Sequence, residues 1–233
     1  WILIGIFFTA LALRLWGVTN PLLDFHSWRQ TLTATMSYNF YADGMNFIVP
    51  RPSMINSIFH FEFPLYTYLI ALLYKVFGFH EIYGRIVAIA FSMGSIWFIY
   101  LLGKRYFDET SAIVACAFYA VLPFSVYYSR TFMPESAMLF FSIAMVYMFA
   151  RWLDTGKWSH FLLASLLATL AFLVKLPTLY MGGPLLFLAW NKFRGKIFYQ
   201  PLLYLFIVLI LIPPALWYSY IARLQFETYG GSN

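Results

Sequence analysis

The amino-acid sequence predicts an all-α polytopic membrane protein, and three observations support this fold class. Of its 233 residues, 62% are hydrophobic and only 10% are charged, and the mean hydropathy is +0.74. Soluble domains average about 25% charged residues, so this composition cannot supply a polar surface around a core. The apolar residues also fall into long runs between short polar loops, a pattern typical of helices that cross a bilayer.

Apolar runs along the chain predict seven spans. The first extends from Trp1 to Val18 and contains Arg14, which is expected to snorkel toward the membrane interface. Pro123 and the Pro213–Pro214 pair are expected to bend two later spans. Cys116 is the sole cysteine, which excludes an internal disulfide and predicts a small buried residue. The six later spans are predicted at residues 86–102, 112–128, 134–150, 160–174, 179–190 and 201–221.

The polar first loop, residues 19–80, is the unusual feature of this apolar chain. Residues 27–41 predict a helix lying along the membrane surface, since Trp28, Tyr38 and Phe40 suit the headgroup region. Residues 64–77 are apolar, but as a helix they extend only about 21 Å against a hydrocarbon core of about 30 Å. We therefore predict two in-plane or re-entrant helices in this loop rather than a further span.

The distribution of Lys and Arg predicts the topology. Three short loops are basic, whereas the other short loops, which alternate with them, carry only Arg130 and Lys175. Because Lys and Arg collect in cytoplasmic loops, the three basic loops are assigned to the cytoplasm. If residues 64–77 do not span the membrane, the first loop then lies on the outer face, together with Glu135, Arg130 and Lys175. The cytoplasmic cations are Lys104, Arg105, Arg151, Lys157, Lys192, Arg194 and Lys196.

Two acidic residues on this outer face are candidates for catalysis. Asp24 follows the first span, where a carboxylate at the membrane edge can act as a general base or a metal ligand. The alternative for Asp24 is a cap on the following helix. Glu135 begins a helix directly after Pro134, a position where an acid also stabilises the helix dipole.

Basic and polar residues near these acids are candidates for substrate binding. The planar guanidinium of Arg29 matches phosphate oxygens, although it can also pair with Asp24 or a lipid headgroup. A divalent metal site is a further expectation for the segment HFEFP, which contains His60 and Glu62, although other ligands would have to come from elsewhere. Asp43 and Arg51 are expected to shape the loop. The candidate binding residues are His26, Arg29, Glu62, Arg130 and Lys175, and the candidate metal ligands are His60 and Glu62.

Several function classes are disfavoured. The chain has no glycine-rich phosphate loop and no HExxH, CxxC or GxSxG motif, so nucleotide use is not indicated. No basic run suits nucleic acid. A secondary transporter tends to show repeats and mid-span charges, whereas most charges here fall at helix ends and in loops. A non-catalytic membrane subunit is a further alternative, because the apolar start without methionine and the polar tail predict a fragment of a longer chain.

Ordered motifs along the chain carry a family resemblance. An Asp after the first span is followed by E-x-P-L-Y-x-Y-L-x-A-L-x-Y-K-x-F-G-x-H-E at Glu62–Glu81, then by G-R-x-x-x-x-x-F-S at Gly84–Ser92. A G-K-R-Y-F loop and Y-S-R-x-x-x-P-E at Tyr128–Glu135 come next. This pattern resembles the membrane glycosyltransferases with the C-type fold, the PMT and ArnT-like group of family 39 and relatives. It covers essentially the whole chain and about the N-terminal half of such an enzyme.

The resemblance implies a fold and a function. It implies a GT-C-like helix bundle forming one transmembrane catalytic module over residues 1–233, in the cytoplasmic membrane with its active site on the extracytoplasmic face. The implied reaction is transfer of a sugar from a polyprenyl-phosphate donor to a glycan, lipid or protein acceptor. Asp24 matches the first-loop catalytic acid, Glu135 the second acidic position and Glu62 the acid of an E-K-P-P-L-like segment. Phe63 stands where many relatives have Lys, so Arg29, Arg130 or Lys175 is expected to hold the lipid phosphate instead.

Overall fold

The computed structural model describes residues 1–22, 25–48 and 62–229, and throughout these residues the chain is helical without a strand. The predicted all-α polytopic membrane fold is confirmed. Of the described helices, three are long and apolar enough to cross a membrane, namely α4, α7 and α10 as far as Leu224. The helices are α1 (Ile2–Leu15), α2 (Ser27–Ala42), α3 (Leu65–Phe77), α4 (Ile82–Tyr106), α5 (Glu109–Val121), α6 (Pro123–Tyr128), α7 (Glu135–Thr155), α8 (Trp158–Val174), α9 (Gly182–Phe193) and α10 (Pro201–Tyr229), with 3-10 helices at Leu176–Met181 and Arg194–Tyr199.

The described residues divide into two compact units. The first consists of residues 1–22, 25–48 and 64–140, and the second of residues 62–63 and 141–229. In the first unit α4 packs along α5, α1 packs against both, and α2 lies against α3. Its core includes Ile96 together with Ala10, Cys116 and Ala120, and the small side chains of these last three allow close approach of the helices.

The second unit is built on the contact between α8 and α10, with α9 and the two 3-10 helices beside it. Four aromatic rings form its buried centre, with the centroid of Phe206 4.8 Å from that of Phe149 and 6.0 Å from that of Phe161. Trp152 lies 5.1 Å from Phe161, ring to ring. Such offset and edge-to-face pairs add to the free energy gained by burying the rings.

Local sequence explains several helix ends. Asp108 caps α5, because its carboxylate accepts a 2.6 Å hydrogen bond from the backbone N–H of Ser111. This hydrogen bond lowers the pKa of Asp108. Gly78 and Gly156 end α3 and α7 with φ of +84° and +63°, in the left-handed region that favours glycine.

The two loop helices match the predicted segments closely. The helix predicted at residues 27–41 is observed as α2, and the helix predicted at residues 64–77 is observed as α3. With thirteen residues, α3 is about 20 Å long. That length is too short for a perpendicular span, and the in-plane placement of both helices stays a prediction. The span predicted at 179–190 is a 12-residue α9 that begins at Gly182 and is preceded by the 3-10 helix Leu176–Met181.

The prediction that Arg14 snorkels is wrong. Its side chain is fully buried among α1, α4, α5 and α6. Its Nε donates to Ser92 Oγ at 2.9 Å, and Nη2 donates to Ser125 Oγ at 3.1 Å. The two Nη atoms also donate to three backbone carbonyls, those of Ala10 at 3.1 Å, Ala120 at 3.0 Å and Tyr119 at 3.2 Å.

The break between α5 and α6 explains why Arg14 is drawn inside. A helix end leaves its last carbonyls without intrahelical donors, and α5 ends at Val121. Pro123 has no N–H to offer the carbonyl of Tyr119 four residues earlier. The Arg14 guanidinium supplies the missing donors to the backbone carbonyls of Tyr119 and Ala120. Inside a membrane such carbonyls have no water to bond with, so a protein donor satisfies them.

Replacing Arg14 is therefore expected to destabilise the protein. Arg14→Met leaves two helix-end carbonyls unsatisfied, and we expect a loss of about 2 kcal/mol after partial offset by removal of a buried cation. Arg14→Lys, with three donors, is expected to lose less. Thermal unfolding in detergent measures the difference, with Arg223→Met on the exposed side of α10 as the control. Equal shifts in Tm for Arg14→Met and Arg223→Met would contradict this role.

Candidate active site

An ion pair joins two of the predicted site residues in the first unit. Arg29 Nη2 lies 3.3 Å from Glu135 Oε1, linking the first turn of α2 to the first turn of α7. The Glu135 side chain is 15% exposed and that of Arg29 is 45% exposed. The carboxylate is therefore largely enclosed, while the guanidinium reaches solvent and has the planar donor set that phosphate oxygens match.

His26 stands at the start of α2, three residues before Arg29. It is the N-cap residue and has the left-handed backbone values φ 61° and ψ 30°, which are uncommon for a residue other than glycine. Its Nε2 lies 3.0 Å from the Tyr128 hydroxyl, and its ring centroid lies 4.2 Å from that of Phe25. This contact connects the start of α2 to α6. In the sequence, His26 precedes Arg29 by three residues and Tyr128 precedes Glu135 by seven.

Within the described part of the chain, Arg130 contacts the backbone at the end of α1. Its Nη1 donates a hydrogen bond to the carbonyl of Trp16, at the end of α1. The predicted role in binding an anionic substrate is not tested by this contact. The contact shows that Arg130 also has a structural role. It joins the loop before α7 to the turn after α1, which precedes Asp24 in the sequence.

Arg85 holds the same turn from α4. The side chain is buried, and its Nη1 donates to the carbonyls of Gly17 at 2.8 Å and Val18 at 3.2 Å. Its Nη2 donates to the carbonyl of Pro21 at 3.1 Å. The sequence places Arg85 only at the start of a span, whereas the structure shows it organising the first loop.

Gln30 is a second residue that sequence reasoning missed. Its side chain is fully buried on α2. Nε2 donates to the carbonyl of Phe25 at 3.1 Å, and Oε1 accepts from the backbone N–H of Phe132 at 3.0 Å. Gln30 precedes the buried Ser37 by two helical turns, so both lie on the inward face of α2, which the sequence of this polar helix does not identify.

Tyr66 connects α3 to the same region. Its side chain is buried, and its hydroxyl donates to the carbonyl of Gly84 at 2.6 Å. Burial raises the pKa of Tyr66 well above its ordinary value, and the nearby Glu135 carboxylate raises it further. The phenol therefore stays protonated at neutral pH and serves as a hydrogen-bond donor.

Gly84 allows α4 to approach the loop before α7 closely. A Cβ at this position would lie 2.2 to 2.5 Å from the ring of Phe132, which is itself fully buried. Gly84→Ala is expected to cost about 1–3 kcal/mol by overpacking and to lower activity by moving that loop. Gly5→Ala, which meets nothing within 4 Å in α1, is the control for thermal unfolding. Equal Tm values for the two variants would show that Phe132 can move aside without cost.

Glu62 and Lys175 form an ion pair in the second unit. Lys175 Nζ lies 3.7 Å from Glu62 Oε1, with side-chain exposures of 15% and 41%. The adjacent backbone is held by a 3.2 Å hydrogen bond from the N–H of Phe63 to the carbonyl of Leu173. The Phe63 ring also lies edge-on to Trp217, with centroids 5.0 Å apart. The pair brings together two residues predicted to bind substrate.

Asp24 and His60 lie outside the described residues, as do Arg51 and the end of the tail. Among residues 1–22, 25–48 and 62–229, no three His, Cys, Asp or Glu side chains form a group that could hold a metal ion. The predicted pairing of Glu62 with His60 at a metal therefore stays a prediction.

An open cleft of about 280 Å³ lies next to the turn that Arg85 holds. It is lined by residues 18–20 after α1 and by residues 79–82 and Arg85 at the start of α4. Asn20, His80 and Glu81 supply hydrogen-bonding groups there. The cleft is wide enough for a small polar group to reach the first loop.

Comparison with known proteins decides the family. The family described as dolichyl-phosphate-mannose-protein mannosyltransferase matches residues 62–218, which is more than half of the chain. The chain belongs to this family. The resemblance seen in the sequence motifs is thereby confirmed.

A curated relative of this mannosyltransferase-family chain comes from Aquifex aeolicus (strain VF5) and is described as an uncharacterized protein. It is 27% identical over 175 residues, which cover 72% of the present chain and 40% of the relative. The present chain therefore spans about two-fifths of the length of the curated relative it matches. No solved structure matches the chain.

The residues matched by the family model include some of the candidate site residues but not others. Glu62, Arg130, Glu135 and Lys175 fall inside the matched residues 62–218. Asp24, His26, Arg29 and Gln30 precede it. The Arg29–Glu135 ion pair therefore joins the matched part of this mannosyltransferase-family chain to the polar loop before it.

Proposed function

We propose that the protein transfers a sugar from a polyprenyl-phosphate-linked donor to an acceptor on the outer face of the cytoplasmic membrane. Membership of the dolichyl-phosphate-mannose-protein mannosyltransferase family is the observation that carries this proposal. The chain supplies one GT-C-like transmembrane catalytic module, with the first loop 19–80 forming part of the active site. The acceptor is a hydroxyl or amine of a glycan, lipid or protein.

Asp24 is the proposed general base. As the acceptor heteroatom attacks the anomeric carbon, its proton passes to the Asp24 carboxylate. The new bond joins the acceptor to the anomeric carbon, and the bond from that carbon to the phosphate oxygen breaks. The electron pair of the broken bond leaves with the polyprenyl phosphate, so negative charge builds on the phosphate during the reaction.

Arg29 is the proposed group that stabilises this leaving phosphate. Its side chain is 45% exposed, so a phosphate at the membrane surface is proposed to reach its guanidinium. Glu135, at 3.3 Å, orients the guanidinium through its enclosed carboxylate. A preoriented cation lowers the barrier because it need not reorganise as charge develops. His26, held by Tyr128, lies on the same turn and is a further proposed contact to the donor.

The Glu62–Lys175 pair is proposed to contact substrate separately. Lys175 carries a cation that is only 15% exposed, and such a desolvated charge attracts an anion more strongly than one in water. The exposed Phe and Trp side chains on the helices are proposed to face lipid tails and the prenyl chain.

Sugar transfer by the full-length protein in membranes tests the proposal. A panel of radiolabelled polyprenyl-phosphate sugars is offered, together with the corresponding nucleotide sugars as a control for donor class. We expect transfer from at least one lipid-linked sugar and none from the nucleotide sugars. Transfer from a nucleotide sugar in the absence of lipid carrier would overturn the proposed donor, and transfer from no donor would favour a transporter or a non-catalytic subunit.

A further inference from the structure

We propose that Gln30 is a positioning residue that holds the segment after Asp24 in register with the helix start that carries Glu135. This inference rests on the proposed function, because it assigns the two carboxylates to one reaction. It concerns how the site is held together and gives Gln30 no contact with substrate.

The first observation is that one side-chain amide joins two distant pieces of backbone. Nε2 of Gln30 donates to the carbonyl of Phe25 at 3.1 Å, and Oε1 accepts from the N–H of Phe132 at 3.0 Å. Phe25 follows Asp24 directly in the chain, and Phe132 precedes Glu135 by three residues. The amide thus connects the flank of one candidate carboxylate to the flank of the other.

The second observation is that the Gln30–Phe132 hydrogen bond is buried, while the Gln30–Phe25 hydrogen bond is partly buried. The Gln30 side chain and the Phe132 side chain are both fully buried. A buried hydrogen bond is costly to leave unmade, because no water replaces the lost partner. The two backbone groups are therefore held at a fixed spacing as long as the amide remains.

The third observation is that other side chains fix the same segment independently of Gln30. The Tyr127 hydroxyl donates to the same Phe25 carbonyl. Arg85 donates to the Pro21 carbonyl at 3.1 Å, and Arg130 donates to the carbonyl of Trp16. The described backbone on both sides of Asp24 is thus held by donors from α2, α4, α6 and the loop before α7.

Only an amide of this length performs the Gln30 role at neutral pH. It must donate to a carbonyl and accept from an N–H at the same time. An ionised glutamate accepts but cannot donate, whereas a protonated glutamic acid does both. Gln30→Glu is therefore a variant whose function is expected to depend on its own protonation.

Gln30→Glu is expected to be active at low pH and to lose activity as the pH rises. Below the pKa of the new carboxyl the protonated acid restores both hydrogen bonds, and above it the carboxylate faces the Phe25 carbonyl without a proton to share. Burial of this position is expected to raise the pKa, because burial disfavours the charged form. The ionisable groups on the elements around Gln30 are His26 at the N-cap of α2, Arg29 on α2, Tyr127 and Tyr128 on α6, Glu135 on α7 and, beyond Phe132, Tyr66 on α3.

The experiment measures sugar transfer by full-length wild type and Gln30→Glu across pH. The ratio of the two kcat values cancels the titration of groups that both proteins share. We expect this ratio to be near one at about pH 5.5 and to fall on the order of 10- to 100-fold by about pH 8.5, since a small misplacement of reacting groups has a cost of this size. We expect KM for the donor to stay within about twofold, because Gln30 does not bind it.

Asn46→Asp is the matched control, since it makes the same amide-to-acid change at an exposed position. Its kcat ratio to wild type is expected to stay flat across pH. A flat ratio for Gln30→Glu, or a change confined to KM, would overturn the positioning role. Recovery of activity at low pH also shows that the variant is folded.

Tyr127→Phe keeps the inference testable if Gln30→Glu fails to fold. This change removes one hydroxyl that donates to the Phe25 carbonyl and leaves Gln30 in place. We expect kcat to fall by about threefold with KM unchanged. A wild-type kcat in Tyr127→Phe would show that the position of the Phe25 carbonyl does not matter for turnover.

The inference and the proposed function fail in different ways. If wild type transfers no sugar from any lipid-linked donor, the proposed function fails. If wild type transfers sugar and the Gln30→Glu ratio is flat, the function stands and only the role of Gln30 is lost.

Discussion

Asp24→Asn is expected to reduce sugar transfer by about 10²- to 10⁴-fold, the range typical of losing a general base. Asparagine has nearly the same shape as aspartate but cannot take the proton of the acceptor. The loss is therefore expected in kcat, with KM for the lipid-linked donor little changed. Initial rates with the full-length protein in membranes, at saturating donor and acceptor, measure it.

Asp43→Asn is the matched control for this experiment. Asp43 is exposed and stands at the C-terminal end of α2, so the same chemical change there is expected to leave transfer near the wild-type rate. Full transfer by Asp24→Asn would remove Asp24 as the base and direct attention to Glu135 and Glu62. Equal losses in both variants would indicate a general effect of lost negative charge in the first loop.

Glu135→Gln is expected to lower kcat/KM for the donor by roughly 10- to 100-fold, because Arg29 loses the carboxylate that orients it. Arg29→Gln is expected to have a similar effect by removing the cation itself. If the two act as a unit, the double variant is expected to be little worse than either single variant. The three variants and wild type form a double-mutant cycle, read as kcat/KM with a lipid-linked donor.

The Lys104–Glu109 pair supplies the control for this cycle. Its Nζ–Oε2 distance is 3.4 Å, close to that of the Arg29–Glu135 pair, but both side chains are more than half exposed. Lys104 lies in the last turn of α4, in the basic segment assigned to the cytoplasm from the sequence, so Glu109→Gln is expected to leave transfer unchanged. Purely additive losses in Arg29 and Glu135 variants would contradict their action as a unit.

The salt dependence of these variants separates binding from orientation. Exposed charge pairs are screened by salt, whereas enclosed pairs are screened much less. Arg29 is 45% exposed, so its contribution to donor binding is expected to weaken as ionic strength rises, and Arg29→Gln is expected to lose that dependence. This trend is read from KM for the donor at increasing salt.

Some features of this protein could be predicted from local sequence. Composition alone indicates a lipid-facing protein, since so few charged residues cannot cover a soluble fold. The end of α3 follows from Gly78, and the break between α5 and α6 follows from Pro123. The first-loop helix α2 was also predicted within one residue of its observed end at Ala42.

The partners of buried polar groups could not be predicted in this way. Arg14 near the end of an apolar run favours snorkelling, yet it lies inside because a helix break more than 100 residues later leaves carbonyls that need donors. Arg130 likewise donates to the Trp16 carbonyl, more than 100 residues earlier in the chain, while its predicted role in anion binding stays a prediction. Both contacts depend on a hydrogen-bond acceptor supplied by a distant segment.

Most helices, the short length of α3 and the family motifs can be predicted from the sequence alone. These properties depend on neighbours within a few turns and on total composition, so they can be read locally. The contact of Arg29 with Glu135 and the hydrogen bonds of Gln30 to Phe25 and Phe132 emerge only from the packing of the helices. Most buried donors in a protein interior are paired with an acceptor, and which acceptor is near depends on how distant helices pack.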